Sequence, residues 1–206
     1  MIQHSTDAHL RCATWLALLG ALMTGCTEMP MSPPQPTIEN AARLRNDRGE
    51  IHAVEVGRFK LDASKPASMD RGVSIRSNKV RSPVNDSMAQ YLRETLRVEL
   101  QSAGLLDMHS DIVITGTLID SMVEAPVGVG KATLGARFVV TRSGTVLYDH
   151  TLRTESTWDS PFIGVSAIPL AAGQYEALYR KLVGRLLDDA DFRAAVAQVV
   201  GDSNSK

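Results

Sequence analysis

Cysteine is almost missing from this chain of 206 residues: there are two, Cys12 and Cys26, both near the N-terminus. The rest of the chain therefore forms no disulfide and offers no thiolate to a metal. In an oxidising compartment its fold must rest on an apolar core alone. Aromatic residues are also scarce, at 5%, too few for a platform on which bases stack. No sign of charge dominates. The formal net charge is -1, so there is no basic footprint for nucleic acid. Beyond the first 25 residues the histidines are His52, His109 and His150, none of them at metal-ligand spacing from another. Gly-x-Ser-x-Gly is absent. So is any apolar run of the roughly 20 residues that span a bilayer. These absences argue against an enzyme, a resident cofactor or metal, and a nucleic-acid partner.

The N-terminus carries the strongest positive signal. Arg11 precedes an uncharged apolar run, Ala13–Met23, followed by the small residues Thr24 and Gly25 and then Cys26. A charged n-region, a short h-region and small residues at a cleavage point make up a secretory signal. A core helix would carry polar residues at helical spacing, and this run carries none. Residues 1–25 are thus read as a signal segment. Met23-Thr24-Gly25-Cys26 resembles the bacterial lipobox, with Met23 where Leu is commoner. The resemblance implies palmitate-type acylation of Cys26 and cleavage before it. Several acyl chains, at about 0.8 kcal/mol per buried methylene, hold a protein at a membrane far better than one.

Residues 26–37 follow as the lipidated cysteine and a Pro-rich segment with Pro30, Pro33, Pro34 and Pro36. Such composition predicts an extended, semi-rigid tether of about 3.1 Å per residue. Thr27 stands where enterobacterial lipoproteins retained in the inner membrane carry Asp. By that resemblance the protein belongs to the periplasmic face of the outer membrane, with the inner membrane left open.

Residues 38–200 read as one periplasmic α+β domain, and 201–206 as a disordered tail. Val54, Val56 and Phe59 mark a first strand within 51–61, and 62–82 looks irregular. Met88, Leu92, Leu96, Leu100 and Ala103 fall on one helical stripe across 87–103, with Arg93, Glu94, Arg97 and Gln101 facing away. Ser87 with Gln90 reads as a capping box, and Gly104 as a stop. Strands follow at 111–124 and 132–142. Ser143-Gly144 then turns the chain into a strand over 145–158. A helix over 174–187 buries Tyr175, Leu178, Tyr179, Leu182, Val183 and Leu186, and a short last helix covers 192–200. This order predicts a two-layer sandwich: an antiparallel or mixed sheet of about four strands, with two long helices on one face.

Two segments are candidate binding surfaces. Residues 71–81 hold Arg71, Arg76, Lys79 and Arg81 and no acid. They form either a solvated loop or a contact for phosphates, lipid head groups or an acidic partner. Residues 158–172 contain Trp158, Phe162, Ile163, Val165, Ile168 and Leu170 with one charge. A long apolar loop either packs on the sheet or covers a partner. Other features read as ordinary. Gly128-Val129-Gly130-Lys131 lacks the earlier glycine and the hydroxyl of a phosphate loop, which leaves a flexible hairpin loop. Asp149 and His150, adjacent on a strand, point to opposite faces.

Over roughly 50–200 the pattern resembles small Gram-negative envelope lipoproteins: the YajG-like group, transport-auxiliary lipoproteins and the LPS-assembly lipoprotein LptE. The shared parts are the lipobox, YLRETLRVELQSAGLL (91–106), the strand pair with its Ser-Gly turn, and YEALYRKLVGRLL (175–187). The resemblance implies a membrane-anchored, non-enzymatic accessory or assembly factor in envelope transport of lipid, LPS or an ABC-type cargo, partnered by another envelope protein or complex. An alternative is a lipoprotein activator of a periplasmic cell-wall enzyme, a task that favours a long tether.

Overall fold

The structure is a computed structural model that describes residues 28–46 and 51–197. The expected signal segment 1–25, Cys26 and the tail 201–206 lie outside the described residues. The main sheet has four strands in the order β2 (Glu55–Leu61), β5 (Ile112–Glu124), β6 (Gly128–Arg142) and β7 (Thr145–Ser160). β5, β6 and β7 form an antiparallel meander, whereas β2 runs parallel to β5. A parallel neighbour needs a crossover, and α3 (Met88–Ala103) supplies it. Together with α4 (Gly164–Asp188), α3 packs on the sheet. The α+β sandwich with a mixed sheet is as the sequence predicts.

Periodicity explains why these elements close on each other. Ala132, Leu134, Ala136, Phe138 and Val140 alternate along β6, and all five are fully buried. They meet Leu92, Leu96 and Leu100 of α3 and Tyr175, Tyr179 and Leu182 of α4 in one core. Ser87 caps α3 by accepting from the Gln90 amide at 3.1 Å, and Gly104 ends it in the left-handed region at φ 73°. Only half of the capping box forms. The Gln90 side chain donates instead to the Phe59 carbonyl, 2.8 Å away on β2. At the β6–β7 turn, Ser143 and Gly144 both take positive φ, 49° and 86°, the geometry that a two-residue hairpin requires.

Several expectations need correction. The irregular stretch 62–82 contains a one-turn helix, α2 (Ser68–Arg71), and a hairpin of β3 (Val73–Ile75) with β4 (Asn78–Arg81). Its strands are too short for periodicity to register, although Val73, Ile75 and Val80 are buried. A further helix, α1 (Ile38–Asn46), comes before the first expected strand. α4 starts ten residues earlier than its apolar stripe suggests, and Pro169 lies inside it. Proline in the second turn removes one amide donor, and here the helix continues through it. After Asp188 the chain enters α5 (Ala190–Val196), capped by the Asp189 carboxylate on the Asp191 and Phe192 amides.

The largest correction concerns the tether. Residues 28–37 do not run free of the domain. Glu28–Pro30 form β1, parallel to β4 in a small second sheet of order β1-β4-β3. Met31 is buried, and its amide donates to the Arg81 carbonyl at 2.8 Å. Ser32 receives the Tyr91 hydroxyl on its carbonyl and donates its amide to Glu176, both at 2.8 Å. The Thr37 amide and hydroxyl and the Asn40 side chain converge on the fully buried Glu99 carboxylate at 2.9–3.1 Å. Prolines favour extended backbone, but extended backbone can pair as readily as it can span.

Candidate functional site: the apolar end of the sheet

The turn of the β3–β4 hairpin places Arg76 at φ 53° and sends its guanidinium across three segments. Nε donates to the Ala125 carbonyl at 2.9 Å, and the terminal nitrogens donate to the Pro161 and Phe162 carbonyls at 2.6 and 3.0 Å. One side chain thus ties together the hairpin, the β5–β6 connection and the β7–α4 connection. At this same end of the sheet lie Val127, Val129, Phe162, Ile163 and Val165, each at least 60% exposed, with Val129 on the face of β6 away from the helices. Five large exposed apolar side chains at one end of a domain are unusual for a surface that meets only water.

The cluster is built, not slack. Trp158 on β7 lies against Gly130 on β6, where any Cβ would sit 2.3 Å from the indole. The glycines of 128–130 therefore belong to a strand that accepts a tryptophan, which corrects the flexible-loop reading. Trp158 Nε1 is buried with no hydrogen-bond partner among the described residues. The apolar segment 158–172 is also not one loop. Residues 158–160 end β7, only 161–163 connect, and the remainder opens α4. Ile168 packs partly against the core, and Leu170 is 38% exposed. The structure thus divides the sequence candidates, with Trp158 and Ile168 turned inward and Phe162 and Ile163 outward. Val165, named with that segment, is also outward, whereas Val127 and Val129 were missed. A connection and a strand start each show single apolar residues, and only the fold brings them to the same end of the sheet.

The basic segment is mostly engaged within the domain. Arg76 holds the three carbonyls, and Arg81 forms ion pairs at 2.8 Å with both Glu28 and Asp86. Arg71 ends α2 and Lys79 lies on β4, and neither forms an ion pair among the described residues. The four bases do not converge on one point.

Two further groups of polar side chains lie elsewhere in the domain. His150 lies 3.6 Å from Asp189 and 3.8 Å from Asp191, so its carboxylate neighbours are on α5, not at Asp149. Asp149 pairs with Arg137 on β6. Burial pushes the Asp189 carboxyl up, but the Phe192 and Asp191 amides and the Tyr148 hydroxyl hold it below the ordinary range. That carboxylate is already committed to capping α5. Inside the core, Ser121, Tyr175 and Tyr179 form a hydrogen-bonded chain at 2.6 and 2.8 Å. Burial pushes the Tyr175 hydroxyl up to about 12, so it stays neutral. These tyrosines are fully buried and satisfy one another. Along the seam of α1 and α4 runs a cleft of about 440 Å³. Among the described residues no helix is long and apolar enough to cross a membrane.

No family model and no curated protein matches the chain. Among solved structures it is similar to a Xanthomonas campestris protein of family DUF330, with TM-score 0.57 at 10% identity, covering 82% of this chain and 96% of that one. The fold is shared at that level. A minor lipoprotein from Acinetobacter baumannii (12% identity, 71% and 95% covered) and a Caulobacter crescentus protein described as a lipoprotein (10%, 76% and 97%) each align with TM-score 0.43. That score is too low for inference.

Proposed function

We propose that the chain is a lipid-anchored envelope protein that acts as a non-enzymatic accessory or assembly factor in envelope transport. One observation carries the reading. Cys26 of the lipobox lies two residues ahead of β1, and β1 is hydrogen-bonded into the domain. A lipid on Cys26 therefore holds the whole folded body against its membrane. A protein fixed in this way serves a complex embedded in, or seated on, that membrane. An activator that must reach a distant cell-wall enzyme needs a long free tether, and residues 28–37 do not provide one. With Thr27 after the cysteine, the outer membrane's periplasmic face is the proposed location.

Crosslinking in intact cells tests this role, followed by identification of the captured protein. The proposal expects subunits of a lipid or LPS transport assembly. Capture of a peptidoglycan synthase in their place would transfer the protein to the activator class.

A further inference from the structure

The apolar end of the sheet faces the same way as the point where the chain enters the domain. β1 and β4 are parallel, and Glu28 sits beside Lys79. β4 starts at the hairpin turn of Arg76 and Ser77. The chain ahead of Glu28 therefore leaves the small sheet at that turn. Arg76 from the same turn holds the Ala125, Pro161 and Phe162 carbonyls, and these lead directly into Val127 and Ile163. Only Thr27 separates Cys26 from Glu28, and two steps of extended chain reach at most about 7 Å.

From this geometry we infer that Val127, Val129, Phe162, Ile163 and Val165 form a membrane-seating tip that enters the head-group and upper acyl region of the bilayer to which Cys26 is anchored. The inference rests on lipidation of Cys26. Without a lipid the tip would have no reason to be near a bilayer. With one, a span of about 7 Å leaves it little freedom to be elsewhere. Interfacial apolar surfaces of this kind bury roughly 5–10 Å into the boundary, a depth that side chains on two adjoining connections can reach. The charges near the tip are of both signs: Lys79 stands beside Glu28 and Lys131 beside Glu124 in the strand registers, and Arg81 pairs with Glu28 and Asp86. Attraction to the bilayer is then apolar in origin and insensitive to salt, unlike that of a polybasic patch. The tip is also held in place before it meets lipid, by Arg76 at one side and by the Trp158–Gly130 contact at the other. Seating it therefore costs little ordering of the chain.

Depth measurement with the lipidated protein tests the inference. In the processed chain Cys26 is the sole cysteine and is acylated, so Phe162→Cys offers a single site for an environment-sensitive fluorophore. Thr145→Cys, exposed at the opposite end of the sheet, is the reference. The purified proteins are reconstituted in phosphatidylethanolamine/phosphatidylglycerol vesicles with and without spin-labelled lipid. The expected result is a blue-shifted emission at position 162 that loses most of its intensity to the spin label, with position 145 unaffected at low and high salt. An unquenched, water-like signal at 162 on protein that floats with the vesicles overturns the tip and leaves lipid anchoring intact. Equal quenching at both positions overturns it too. Protein that fails to float for lack of acylation removes the anchoring reading and the tip with it.

Discussion

The two ends of the main sheet are built by the same strands and finish differently. At the β6–β7 turn the chain ends in polar detail. Ser143 donates to the Asp111 carboxylate, Asp189 caps α5, and His150 and Tyr148 lie beside it. Met108, Val146 and Leu147 are exposed there, but they are scattered among acids. At the other end five large apolar side chains are exposed on the connections and element ends that one arginine, bonded only to carbonyls, ties together. Both ends are ordered, so a need for folding does not explain the difference. Water is an adequate neighbour for the first and a poor one for the second.

The contrast between core and tip is sharpest in stability. Leu96 and Leu182 are fully buried on α3 and α4, and replacing either with Ala should cost about 2–5 kcal/mol in urea unfolding. Losses below 1 kcal/mol would mean that the stripes are misplaced. Removing the buried carboxylate by Glu99→Ala strands the Thr37 amide and the Asn40 side chain, at a cost of about 1–3 kcal/mol. The same change should speed proteolysis within 28–46, where a free tether would show no response. Gly130→Ala, which pushes a Cβ into the Trp158 indole, should cost about 1–3 kcal/mol and alter the near-ultraviolet dichroism of that tryptophan.

Arg93 separates the sequence reading from the structure. The helical wheel places it on the outer face, yet its guanidinium donates to the Val56 and Gly57 carbonyls at 2.7 Å. Arg93→Ala should therefore cost about 0.5–1.5 kcal/mol, while Lys181→Ala, on an exposed position of α4, stays within about 0.5 kcal/mol. The smallest effect belongs to the tip. Changing Phe162 and Ile163 together to Ser should leave the melting temperature of the protein in solution nearly unchanged, because both are more than 60% exposed. A clear destabilisation would place them in the core.

What was legible in the sequence follows from length and period. α3, β6 and the body of α4 each run for at least eleven residues with one period, and every stripe residue named from the pattern is buried. The small sheet was not legible, because three- and four-residue strands leave no period to detect. Nor was docking of the proline-rich segment, since proline content reports an extended backbone and not what that backbone pairs with. Three of the five tip residues, Phe162, Ile163 and Val165, could be found from apolar content alone. The other two, Val127 and Val129, lie about thirty-five residues earlier in the chain and reach that end of the sheet through the β6–β7 pairing and the Arg76 contact with Ala125.

Everything said of function turns on the covalent state of Cys26. Metabolic labelling with radioactive palmitate, on the full chain and on Cys26→Ser, measures it directly. The expected result is a labelled, shortened wild-type protein whose new N-terminus is Cys26, and an unlabelled mutant that keeps its precursor length. Equal labelling of the two, or a wild-type protein without lipid, would contradict it.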